Sequence, residues 1–70
     1  MLIVIVYSEQ FTDNAKSLSD AVKNKWSDVN VNLMGTRRTL YQVQLESKVV
    51  YSADSVTDNN FIIDLIEERL

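Results

Sequence analysis

Neither cysteine nor histidine occurs in this chain, there is no proline, and the single glycine is Gly35. Without cysteine there are no disulfide staples, no thiolate-rich zinc site and no iron–sulfur ligation. Without histidine the usual neutral-pH proton shuttle and the commonest metal ligand are gone. The carboxylates form no metal-loop motif, and Glu67-Glu68 point to different parts of a helix surface, so neither a metal nor a cofactor is expected. The longest apolar run, Met1–Tyr7, is too short to span a bilayer and lacks the basic start of a signal peptide. The expectation is a cytoplasmic protein with no membrane contact. A formal charge of −3 disfavours phosphate-backbone binding, so nucleic acid is not an expected partner.

What remains is the composition of a folded domain: 70 residues, 46% hydrophobic and 24% charged. That length fits one domain, residues 1–70, with no linker, repeat or low-complexity stretch. A chain this short hides only about 60% of its unfolded surface, so every large apolar side chain has to contribute.

Leu2–Tyr7 is a continuous apolar run rich in β-branched residues, the pattern of a central strand buried on both faces. Thr12 or Asp13 can cap a following helix. Ala15, Leu18, Val22 and Trp26, with Ala21 beside them, make one apolar stripe over about four turns. Val29, Val31 and Leu33 alternate with Asn30 and Asn32 as a strand with one wet face, which suggests a sheet edge. Gly35, free to take a positive φ, is the expected turn. Tyr41, Val43 and Leu45 alternate with Gln42 and Gln44, and Glu46-Ser47 turns the chain into Lys48–Ser52. Neither turn residue favours a primed hairpin turn. Asp58 is a plausible cap for a last helix that buries Phe61, Ile62, Leu65 and Ile66.

The order is β-α-β-β-β-α, an α/β class with a four-stranded mixed sheet. Its first unit is a right-handed parallel crossover, and both helices lie most simply on one face. The rival arrangement is a meander in which Val29–Leu33 pairs with Tyr41–Leu45.

Two strings resemble glutaredoxins. Asp13-Asn14-Ala15-Lys16-Ser17-Leu18 is similar to the helix start after that family's active-site cysteines. Thr39-Leu40-Tyr41-Gln42-Val43-Gln44-Leu45-Glu46-Ser47-Lys48-Val49-Val50 resembles its segment Thr-Val-Pro-Gln-Val-Phe-Ile-Asp-Gly-Lys-His-Ile, with Thr39, Gln42, Val43 and Lys48 identical. The resemblance implies a minimal thioredoxin-like fold without redox chemistry. The family's cysteines would lie near Glu9 and Thr12, Tyr41 stands at its cis-proline, and Tyr51-Ser52 replaces a Gly-Gly pair near the glutathione carboxylate. The short Gly35–Arg38 connection, and Tyr7 before the loop, look more like the selenoprotein W-like branch of the fold. Whichever branch it resembles, no thiol–disulfide activity is expected of this chain, because it has no thiol.

Two candidate sites follow. Ser8-Glu9-Gln10-Phe11 joins the first strand to the first helix, a favoured ligand position where helix-start amides attract anions. By the family's groove, Tyr41 and Asp54 would be its neighbours, and the ligand would be a peptide or small acid. The plainer alternative is a polar loop whose Phe11 staples the helix end to the core. Arg37-Arg38, the only doubled positive charge, can grip a partner's carboxylate or a phosphate, or merely solvate a turn. Ser8 has no histidine to activate it as a nucleophile. The expected function is a redox-inactive binding module acting through contact with an unknown protein partner. The alternative is a binder or enzyme for a small anionic or peptide ligand at the loop. The unprotected strand Val29–Leu33 also invites a homodimer, unless flanking Asp28 and Arg37 keep the chain monomeric.

Overall fold

Strand β1 (Leu2–Ser8) passes through a short 3-10 turn, Glu9–Phe11, into helix α1 (Thr12–Lys25). Strands β2 (Asn30–Thr36), β3 (Tyr41–Leu45) and β4 (Lys48–Ala53) follow, and helix α2 (Asn59–Glu67) closes the chain. These elements come from a computed structural model that describes all residues, Met1–Leu70. The sheet order is β2-β1-β3-β4, so β1 is central. It pairs parallel with β2, Leu2 opposite Asn30 through Ser8 opposite Thr36. On its other side it pairs antiparallel with β3, Ile3 opposite Leu45 and Tyr7 opposite Tyr41. The meander is thereby excluded, because β2 and β3 are separated by β1.

Both helices pack on one face and touch each other. Asn59 Nδ2 donates to Ser17 Oγ at 3.0 Å, and Lys25 Nζ lies 2.5 Å from Glu67 Oε1. Under them Ile3, Ile5, Tyr41, Val43, Leu45 and Val50 meet Ala15, Leu18, Val22, Ile62, Ile63 and Ile66 in one buried cluster. The alternation in β3 puts Tyr41, Val43 and Leu45 inward and leaves Gln42 and Gln44 half-buried on the other face. In β4 the register slips between Val43 and Gln44, which makes Val50 an extra residue. That bulge lets both Val50 and Tyr51 pack on the core.

The central strand is covered on one face only. Ile3 and Ile5 are fully buried, whereas Leu2, Val4 and Val6 are half-buried on the side without helices. This corrects the reading of two-sided burial. Amide side chains shade the outer face: Gln44 Nε2 donates to Gln42 Oε1 at 2.8 Å, and Gln42 Nε2 to Ser52 Oγ at 3.3 Å.

Four local expectations change as well. Gly35 does not turn and has no positive φ; it is an interior residue of β2. The bend comes at Arg37–Thr39, where the Arg38 N–H donates to Thr36 Oγ1 at 3.3 Å and closes a hydroxyl-stabilised turn. Neither Thr12 nor Asp13 caps α1. The chain is already turning at Glu9, and Thr12 Oγ1 donates to the Glu9 carbonyl at 2.6 Å instead. Glu46 and Ser47 both take positive φ, 49° and 70°, so the hairpin uses a primed turn despite its residues. In α2 the buried stripe is Ile62, Ile63 and Ile66, while Phe61 is 52% exposed. Asn59, bound to Ser17, lies on the same side, since 59, 62, 63 and 66 share one helix face. Asp58 caps α2 as expected, its Oδ1 accepting from Asn60 N at 3.0 Å.

Candidate functional site

The parallel strands β1 and β2 end side by side, and α1 begins at the same place. In an open α/β sheet the carboxyl ends of parallel strands are the usual ligand position. Here they frame an open cleft of about 360 Å³ lined by Tyr7, Glu9, Thr12, Gly35, Thr36 and Arg37. Pairing of Ser8 with Thr36 is what brings Arg37 to the loop at Glu9.

The rim thus carries one carboxylate, Glu9, and one guanidinium, Arg37. The hydroxyls of Thr12 and Thr36 are occupied in holding the backbone. Ser8 Oγ is buried and has no hydrogen-bond partner, so no base reaches it to make it a nucleophile. Nowhere in the chain do three acidic side chains gather as a metal site. The cleft can hold a polar or charged group; it carries no proton relay.

The other loop residues separate from this cleft. Gln10 is exposed, and Phe11 is half-buried with its ring edge-on to Tyr41, centroids 5.9 Å apart. Tyr41 is fully buried, and its hydroxyl donates to the Asn14 carbonyl at 3.2 Å. Burial, with a smaller contribution from neighbouring Tyr51, pushes its phenol up to about 12. Tyr41 therefore holds the loop from beneath and is not a groove surface. Asp54 follows β4, on the far side of β3, and does not line the cleft. Arg38 is exposed beside Arg37 and outside the cleft lining. The sequence reading treated the loop and the arginine pair as separate sites; the parallel register joins Glu9 and Arg37. It did not take Tyr7, Thr12, Gly35 or Thr36 as lining residues: Tyr7 and Thr12 flank the loop directly, whereas for Gly35 and Thr36 that same register was the only signal.

A second surface borders the cleft. Strand β2 is an edge strand of seven residues with no charged side chain and no proline. The Asn30 N–H donates to the Met1 carbonyl at 2.8 Å. Because successive peptide groups alternate sides, Val31, Leu33 and Gly35 turn theirs to the free edge. Leu33 and Met34 are 39% and 55% exposed on this strand. No helix in the chain is long and apolar enough to cross a membrane. No family model and no curated protein matches the chain.

Proposed function

We propose that the chain is a redox-inactive, glutaredoxin-like binding module of the thioredoxin-like class, working in the cytoplasm through contact with another protein. The single observation that carries this reading is the free β2 edge, with exposed Leu33 and Met34 and outward peptide groups at Val31, Leu33 and Gly35. Such an edge binds by strand addition, main-chain hydrogen bonds giving affinity and side chains giving selectivity. Arg37 and Arg38 stand at its end as charges for a partner's carboxylates. The order β2-β1-β3-β4 supports the family resemblance, while Glu9 and Thr12, near which the family's cysteines would lie, line a cleft without a thiol.

The reading is tested by capture from a lysate of the source organism on immobilised native protein and on Leu33→Lys. A protein retained by the first and lost from the second supports it. Equal retention by both overturns it. The second reading, a small anionic ligand at the cleft, is favoured by Arg37 lying at the start of α1. Titration with glutathione, followed by amide shifts at Glu9, Thr12 and Thr36, separates the two.

A further inference from the structure

We propose that β2 pairs with β2 of a second copy of this chain, antiparallel, about a two-fold axis at Leu33. The inference rests on the binding reading of this edge but makes a second copy of the chain its occupant, so that the paired edge is closed to a different protein. Three features of the edge are complementary to themselves. First, the residues with outward peptide groups are Val31, Leu33 and Gly35, placed symmetrically about Leu33. With the axis there, Leu33 faces its copy and Val31 faces Gly35 of the other chain. All of these fall in hydrogen-bonded positions, where each pair exchanges both N–H···O bonds.

Second, the side chains fit. A Cβ at Gly35 would meet nothing within 4 Å, so the space opposite the partner's Val31 is open. Leu33, 39% exposed in one chain, is covered by its own copy. Both pairs lie on the helix-bearing face, since Val31 and Leu33 share it with Ile3 and Ile5. The product is a doubled sheet with all helices on one side, and the interface is isologous and closed.

Third, the charges match. No charged residue lies within β2, so two chains of net charge −3 meet there without opposing like charges. Asp28 lies in the turn just before β2, and Arg37 and Arg38 in the bend just after it, so the antiparallel two-fold brings the Asp28 end of each copy near the Arg37–Arg38 end of the other. Asp28, Arg37 and Arg38 are exposed and take part in no ion pair within their own chain. Parallel pairing in register would instead set Asp28 against Asp28, which is why the antiparallel arrangement is favoured.

Sedimentation equilibrium of the full chain tests the proposal. The native protein is expected at the mass of two chains, with slowed amide exchange at Val31, Leu33 and Gly35. Leu33→Lys, which opposes two ammonium groups at the axis, should weaken pairing about tenfold or more. Val31→Pro removes an outward N–H, together with part of the side-chain packing of Val31 on the core, and should give a folded single chain, its fold checked by circular dichroism. Asp28→Arg should weaken pairing, and Asp28→Arg with Arg38→Asp should restore it. A single-chain mass for the native protein at millimolar concentration overturns self-pairing. Should that monomer still capture a different protein in a Leu33-dependent way, the binding-module reading stands alone. A native dimer indifferent to both Leu33→Lys and Val31→Pro overturns the proposal too, because another surface then holds it.

Discussion

The hydroxyl of Tyr41 reaches across to the Asn14 carbonyl, 3.2 Å away, and ties the start of β3 to the first turn of α1. The same ring receives the edge of Phe11 from one side and meets Tyr51 at 6.3 Å on the other. Tyr51 in turn stands edge-on to Phe61, 6.5 Å away. An aromatic series therefore runs from the head of α1 through β3 and β4 to α2. Edge-to-face contacts of this kind add about 0.5–1.5 kcal/mol each beyond burial.

Tyr41 should make the protein sensitive to alkali. The unfolded chain releases this phenolic proton near 10, and the folded chain holds it to about 12. Its folded pKa is raised, so the stabilisation is complete below pH 10 and is lost as pH climbs towards 12. The full loss is about 3 kcal/mol. Tyr41→Phe should flatten this decline in urea midpoints measured across the window. At pH 7 it should cost about 1 kcal/mol for the hydrogen bond given up.

The β3–β4 turn stores strain at one position that can be relieved and at another that cannot. Ser47 has φ 70° and makes no side-chain hydrogen bond, so Ser47→Gly should stabilise by about 0.5 kcal/mol after the entropy of the freer unfolded chain is subtracted. Glu46 also has positive φ, but its Oε1 accepts from the Leu2 N–H at 2.7 Å. Glu46→Gly gives up that bond and should bring no gain. Chemical denaturation of the two variants decides it, and a gain from Glu46→Gly would contradict the tie to β1.

Disulfide exchange proceeds by attack of a thiolate on sulfur. In a coupled glutathione-disulfide assay the protein should turn over no faster than buffer. A Thr12→Cys variant should remain weak as well. Tyr41 is buried beneath the loop and cannot form the groove wall that positions a substrate disulfide. Turnover by the native chain would disprove the non-redox assignment.

Much of the fold is legible in the residues because its periodicities are clean. Ala15, Leu18 and Val22, and Tyr41, Val43 and Leu45, can bury only as one helix stripe and one strand face. What is not legible depends on contacts distant in sequence. The Phe61-Ile62-Ile63 run fits two helix phases, and the packing of α2 on α1 and the sheet takes the one that buries Ile63 and exposes Phe61. Gly35 suggests a turn, yet pairing with β1 carries β2 through Thr36 and the bend falls at Arg37–Thr39. The cleft was half visible: the loop could be found from its position after the first strand, but Arg37 joins it only through the pairing of Ser8 with Thr36.

The β-branched run of β1 poses the last question, because a strand covered on two faces and one covered on a single face look alike in sequence. The structure separates them: Ile5 is fully buried beneath the helices, and Val4 is half-buried among Asn32 and Gln44 on the outer face. Ile5→Ala empties a packed site and should cost about 2–5 kcal/mol. Val4→Ala removes methyl groups that already touch water, and should cost about 1 kcal/mol or less. Met34→Lys, at 55% exposure on the same outer face, should change stability by less than about 0.5 kcal/mol. Equal losses for Ile5→Ala and Val4→Ala in denaturant titrations would mean that something covers the outer face in solution. Pairing through the β2 edge would not produce that result, since it extends the sheet sideways and leaves Leu2, Val4 and Val6 as they are.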